Sequence, residues 1–215
     1  MKKNKKFFLD LPFREYFNEI KVFKYLIKES HPIILDIGGN LGQSVKLFKK
    51  IFKDSIIHTF EPNHLIFKKL QENTKKFENV FYYNFGLGEK NKMLKLNVNK
   101  ENNYTTSSFL KFNKESMSLK KNYHPKISFN PGNIDKIDGE IKKTEDILKN
   151  FKIIDILKID IQGGEFSFLK GIKNFTKIKV IKIEIVMDDL YKFNSQKNFS
   201  KIFNLLLKNN FIIYD

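Results

Sequence analysis

Hydrophobic positions along the chain alternate between two periods. Residues 13–29 set Phe13, Tyr16, Phe17, Ile20, Phe23, Tyr25, Leu26 and Ile27 at helical spacing with charged residues between them. This predicts a helix packed beside a sheet, within an N-terminal helical segment over residues 1–30. Ser30-His31-Pro32 stops it. Residues 33–37 form a nearly continuous apolar run, as a strand covered on both faces requires. Helical spacing returns over 42–52 through Val45, Leu47, Phe48, Ile51 and Phe52. A second strand is expected over 55–60, a helix over 64–76 and a third strand over 79–84. This strand–helix alternation predicts parallel pairing with right-handed crossovers.

The alternation then breaks. Gly86-Leu87-Gly88 reads as a turn, and residues 92–98 as an extra strand. Residues 99–139 are polar and rich in Asn, Ser and Lys. A stretch that long without regular structure is unusual in a compact domain unless it has a job. It reads either as an insertion with short strands and a lid over the site or as a plain surface excursion. Regular structure resumes with a short helix near 143–148 that Thr144 could cap, then a strand over 153–159 that ends at Asp160. Gly163-Gly164-Glu165 opens another helix through Phe166, Phe168, Leu169 and Ile172. A fifth strand over 179–186, a helix over 199–207 and a last strand over 211–214 follow. There is no internal repeat. The 215 residues fit one α/β domain over 1–215, doubly wound around a mostly parallel sheet.

The glycine turn after the first strand is the first candidate site. Asp36-Ile37-Gly38-Gly39-Asn40-Leu41-Gly42 puts small residues where backbone approaches a ligand, and the next helix presents its N-terminus there. Such turns sit at the carboxyl edge of open α/β sheets, where nucleotides bind; a tight connection that needs glycine is the plain alternative. The spacing is not Gly-x-Gly-x-x-Gly, since Asn40 and Gln43 stand where glycines would. An acid before the turn, Asp36, suits a ligand bearing an ammonium or sulfonium better than a pyrophosphate. Glu61, at the end of the second strand in Phe60-Glu61-Pro62-Asn63, can accept both hydroxyls of a ribose, or serve as a helix-start acid. Asp160 ends the strand expected beside the first one and would face the reactive end of the ligand. Glu184 is a lone acid in an apolar strand, so it is either functional or on a face open to water with Lys182.

Composition narrows the field. The net charge is +16, yet Arg14 is the only arginine among 40 basic residues, and the lysines spread along the whole chain. Arginine is the residue that grips phosphates bidentately and reads guanine edges, so no specific nucleic-acid partner is expected. Weak salt-sensitive binding to polyanions is. There is no Cys, and the N-terminal apolar run Phe7-Phe8-Leu9 is too short for a signal sequence. No 18-residue apolar window exists, so no membrane span is expected and a cytoplasmic location is the default. His31, His58, His64 and His124 do not space as metal ligands, and Asp188-Asp189 reads as a solvated turn; no metal is expected.

Three segments together resemble the FkbM-type S-adenosylmethionine-dependent methyltransferases: Leu35–Ser44 through the glycine turn, Phe60-Glu61-Pro62, and Asp155-Ile156-Leu157-Lys158-Ile159-Asp160-Ile161-Gln162-Gly163-Gly164-Glu165 with Leu169-Lys170-Gly171. The resemblance runs from residue 33 to about 213 and leaves 99–139 unmatched. It implies the class I methyltransferase form of the Rossmann-like fold, with S-adenosylmethionine as cofactor. Asp36, Gly38, Asn40 and Gly42 would cradle its methionine part, Glu61 the ribose, Asn84 and Phe85 the adenine, and Asp160 would lie at the methyl group. Such sheets end in a hairpin; here the chain ends just past 211–214, so the last strand is either lacking or replaced by a segment such as 92–98. The expected reaction is in-line transfer of a methyl to a hydroxyl, on a carbohydrate or other small-molecule or glycan acceptor, with Asp160 as base or hydroxyl orienter and Glu184 second. The alternatives are an RNA or protein methyltransferase on the same fold, or an inactive cofactor-binding module.

Overall fold

A computed structural model describes residues 5–9, 16–99, 107–113, 134–185 and 195–213. Its main sheet has seven strands in the spatial order β10 (Phe211–Ile213), β1 (Lys5–Leu9), β9 (Ile178–Ile183), β8 (Ile154–Ile159), β2 (Ile33–Ile37), β3 (Ile56–Phe60) and β4 (Val80–Tyr83). Every pairing in it is parallel. The strand between β9 and β10 is therefore not the segment 92–98. The N-terminal Lys5–Leu9 occupies that place, registered with Val180–Ile183 on one side and Phe211–Ile213 on the other.

The two faces of the sheet separate by residue parity, as side chains of successive strand residues point to opposite faces. Ile34, Ile156 and Val180 are aligned across β2, β8 and β9 and pack with Phe23 of α1 (Tyr16–Leu26), Val45 and Phe48 of α2 (Gln43–Ile51) and Leu70 of α3 (His64–Thr74). Leu35, Leu157 and Ile181 form the next row on the other face. They join Leu148 of α4 (Thr144–Leu148), Phe168 and Leu169 of α5 (Glu165–Lys170), and Ile202 and Leu206 of α6 (Ser195–Lys208). All six residues of β8 are buried, which is why its run is apolar except at Asp155 and Lys158.

A second sheet of three strands, β5 (Gly86–Gly88), β7 (Ile134–Lys143) and β6 (Lys92–Asn99), follows β4. The expected extra strand over 92–98 is β6, and it pairs antiparallel with β7 along its whole length. The Gly86-Leu87-Gly88 segment, expected as a turn, pairs parallel with Ile141–Lys143. Close approach dictates the glycines: a Cβ on Gly86 would lie 2.6 Å from Ile141 Cδ1.

Candidate functional site

A cavity of about 240 Å³ opens where the two sheets meet, at the carboxyl ends of β2, β3 and β8. Gly38, Asn40, Glu61, Asp160 and Gln162 form its polar side. Leu87, Leu94, Leu96, Phe109, Leu110 and Ile141 form the apolar side, all but two of them from the second sheet. Of the 99–139 segment, residues 99, 107–113 and 134–139 are described, and Ser107, Ser108, Phe109 and Leu110 contribute directly to the cavity wall.

The glycine turn is pinned to its neighbours by backbone. The N–H groups of Gly38 and Gly39 both donate to Phe60 O, at 3.0 and 2.9 Å. A Cβ on Gly38 (φ 89) would sit 1.8 Å from Asp160 O, so the turn and the end of β8 touch main chain to main chain. Asn40 is left-handed at φ 44. Its N–H donates to Glu61 Oε2 at 3.0 Å, while its own Oδ1 is buried with no hydrogen-bond partner. Glu61 Oε1 accepts from Asn63 N at 2.8 Å. Asn63 caps α3 through Oδ1 and Leu65 N, so the helix begins after Pro62 and the Glu61 carboxylate joins the turn to that cap. Burial pushes the Glu61 carboxyl up to about 7, against the Asn63 and Asn40 hydrogen bonds and the charge of Lys158.

Asp160 Oδ1 accepts from Gln162 Nε2 at 2.9 Å, and its Oδ2 lies 3.7 Å from Lys158 Nζ. Glu165 Oε1 accepts from Gly163 N at 2.9 Å and Ile161 N at 3.4 Å, holding the turn that carries Gln162. Burial raises Glu165 to about 7 as well.

Of the residues singled out by sequence, Gly38, Asn40, Glu61 and Asp160 meet at the cavity. The others fall off its wall, for identifiable reasons. Asp36 is fully buried and shares the parity of Ile34, so its side chain points under the turn toward the α1–α3 layer. There it accepts from Thr59 Oγ1 at 2.9 Å and pairs with Lys158 at 3.1 Å. Gly42 (φ 89) is needed for helix packing, since a Cβ would lie 2.5 Å from Thr74 Cγ2 of α3. Asn84 donates from Nδ2 to Glu61 O at 2.8 Å and steadies the end of β3. Phe85 packs on Phe60 and Tyr83, with Lys142 Nζ 4.2 Å from its ring centre. Glu184 follows β9, which lies inside the sheet and not at an edge, and its N–H donates to Ile159 O. Lys182 on that face pairs with Glu19 of α1 at 2.8 Å. His58 is half-buried, stacked on Phe81 and hydrogen-bonded to Tyr83 Oη, and its partial burial lowers its pKa. His124, Asp188 and Asp189 lie outside the described residues.

Sequence reasoning missed Lys158. It is buried on the Asp36 face and donates to Gly38 O at 2.6 Å, so one ammonium joins the glycine turn, Asp36 and Asp160. Burial pulls its pKa down, but Asp36 and Asp160 more than offset that, and the net shift is upward. The signal was available, since a charged residue in an otherwise apolar strand marked Glu184 and marks Lys158 equally. Among the described residues no His, Asp or Glu cluster is placed to hold a metal ion, and no helix is long and apolar enough to cross a membrane.

Comparison with known proteins finds a family model and curated relatives that match the chain. The model of the methyltransferase FkbM domain matches residues 36–213. "Methyltransferase 1" of Beauveria bassiana (strain ARSEF 2860) is 26% identical over 144 residues, covering 65% of this chain and 57% of the relative. "Methyltransferase sdnD" of Sordaria araneosa is 26% identical over 158 residues, covering 66% and 61% respectively. The chain therefore spans about three-fifths of the length of these relatives. A crystal structure of a fibrillarin/Nop5p complex shares 22% identity over 31% of this chain and 32% of its own, with a TM-score of 0.26, too low to bear on the fold.

Proposed function

The chain belongs to the FkbM methyltransferase domain family, and on that premise we propose that it moves a methyl group from S-adenosylmethionine to a hydroxyl oxygen of a carbohydrate or glycoconjugate. The observation that carries the donor reading is that Asn40, whose buried Oδ1 is an acceptor with no hydrogen-bond partner, lines the same wall of the cavity as the Glu61 carboxylate that its N–H bonds to. An unpartnered buried acceptor is costly, and an ammonium or hydroxyl donor from a ligand removes that cost. Each Glu61 oxygen holds one backbone N–H and keeps a lone pair for a ribose hydroxyl.

Bound there, the cofactor supplies an activated methyl on a sulfonium. The chain supplies the rest. Gly38 lets the backbone approach closely, Asn40 and Glu61 hold the amino-acid and ribose ends, and the apolar wall excludes water. Asp160, held by Gln162 and by the charge of Lys158, takes the proton from the acceptor hydroxyl, whose very high pKa makes concerted removal necessary.

A thermal-shift series with S-adenosylmethionine, S-adenosylhomocysteine, NAD and ATP tests the donor reading. Ligand at about 100 times its dissociation constant should add about 2.7 kcal/mol. The two adenosyl compounds are expected to stabilise the wild type and to lose most of that effect in Glu61→Ala. Stabilisation by NAD or ATP alone would overturn the reading. Turnover of radiolabelled methyl donor on a panel of glycans and other alcohols then tests the acceptor class; transfer only to non-sugar hydroxyls would overturn that part.

The apolar wall gives a steric prediction. A Cβ on Gly139 would lie 2.8 Å from both Cε1 and Cζ of Phe109. In Gly139→Ala the ring must shift at the cavity wall, an overpacking that costs about 1–3 kcal/mol. Calorimetric titration is expected to show S-adenosylmethionine binding weakened about tenfold, equivalent to about 1.4 kcal/mol. Unchanged affinity would separate this wall from the donor site.

A further inference from the structure

The turn after β8 keeps a conformation that it would not hold alone. Gln162 (φ 51) and Gly163 (φ 98) are consecutive left-handed residues. That region is costly for a side-chain-bearing residue and persists where neighbours over-determine it. Glu165 holds the turn from beneath through the N–H groups of Gly163 and Ile161. The hold from above comes from far along the chain: Ser108 Oγ donates to Gln162 O at 2.7 Å.

Ser108 is itself fixed. Its N–H and carbonyl pair with the carbonyl and N–H of Asn97 at 3.0 and 2.8 Å. Asn97 Nδ2 donates to Leu110 O at 2.8 Å, and Leu110 N donates to Ser108 Oγ at 3.0 Å. Both Ser108 and Asn97 are buried, at 2% and 7% exposure. Because a carbonyl cannot donate, the Ser108 hydroxyl proton has a single direction, toward Gln162. The Gln162 side chain then reaches Asp160 Oδ1 at 2.9 Å. A continuous chain of hydrogen bonds thus runs from the second sheet, through Asn97, Ser108 and Gln162, to the carboxylate in the cavity.

We propose that Ser108 is a positioning residue for Asp160: through the Gln162 carbonyl it fixes the 161–164 turn, and Gln162 in turn holds the Asp160 carboxylate toward the cavity. The segment around Ser108 thereby sets the reactive carboxylate and works as a fixed clasp. The functional consequence for Asp160 rests on the methyl-transfer reading; the clasp itself does not.

Hydrogen exchange of the full chain, read on peptides covering 161–164, tests the clasp without any ligand. The variants Ser108→Thr and Ser108→Val are matched in shape and differ by a hydroxyl against a methyl. Exchange at 161–164 is expected to be at least tenfold faster in Ser108→Val than in Ser108→Thr, with β2 and β8 alike in the two. Equal exchange at 161–164 in the pair, with a difference confined to 107–113, would mean that Ser108 only anchors its own segment, and would overturn the proposal. Because both variants carry the same bulk, any loss of stability from that bulk falls on both, and the exchange of β2 and β8 reports any global loss that the missing hydroxyl adds in Ser108→Val. S-adenosylmethionine affinity of the same pair is the second arm, expected to be several-fold weaker in Ser108→Val. If the wild type binds no adenosyl compound, the donor reading fails while the exchange arm still decides the clasp.

Discussion

Replacing Lys158 by methionine is expected to lower folding stability by about 3–5 kcal/mol, the cost of leaving one member of a buried ion pair without its partner. Asp36 is fully buried, and Lys158 is the cation beside its Oδ1, an atom with no hydrogen bond in its own right. Methionine keeps much of the length and apolar stem, so packing loss is small. The Gly38 carbonyl also loses its donor. The pair's contribution is fully present at neutral pH: the Lys158 pKa is raised in the folded state, so the stability it brings is lost only when pH climbs through its titration above the ordinary lysine value. Urea unfolding at pH 7 measures the loss. Asp36→Asn in the Lys158→Met background should recover part of it, because the uncompensated charge is then gone, and a double-mutant cycle isolates the coupling. A loss under about 1 kcal/mol would mean that the pair does not hold the turn.

That prediction rests on a row that periodicity could have exposed. Thr59, Asp36, Lys158 and Lys182 align across β3, β2, β8 and β9 on one face. The apolar runs of β2 and β8 were legible because strands covered on both faces need them, and so was the turn beyond β2. The direction of Asp36 is set by its parity with Ile34, a constraint that adjacency to a glycine turn in sequence does not reveal: the carboxylate lies beneath the turn, on the side away from the cavity. Glu61 and Asp160, one residue past their strands, are free of that constraint and do reach the cavity. The seventh strand was beyond local reading. Phe7-Phe8-Leu9 is short, flanked by lysines, and becomes a strand through its neighbours β9 and β10. The same holds for β7, which carries Gly139 and alternating charges and is organised by pairing with β6. The Ser108–Gln162 bond joins residues 54 apart, a distance at which no spacing rule operates.

Glu61 makes affinity for the methyl donor depend on pH in a direction that its burial dictates. Its folded carboxyl titrates near 7 against 4.5 for the free group. A raised carboxyl pKa means that the folded protein holds the proton more tightly than the unfolded chain. Stability from this group is therefore full below about 4.5 and is lost as pH rises through about 7, by on the order of 3 kcal/mol at 1.36 kcal/mol per unit. Hydroxyl donors from a ribose bond best to the ionised form, so binding must expel the proton below pH 7. Affinity for S-adenosylhomocysteine is expected to rise up to tenfold per unit from pH 5.5 to about 7 and then flatten, with release of up to one proton per site in the acidic arm. Calorimetry in buffers of different ionisation enthalpy counts that proton. The amino group of the ligand also titrates, so Glu61→Gln is the control: it keeps the ligand's own dependence and should lose the acidic arm. The same acidic arm in wild type and Glu61→Gln would remove Glu61 from the ribose site and leave it as the brace between the glycine turn and the cap of α3.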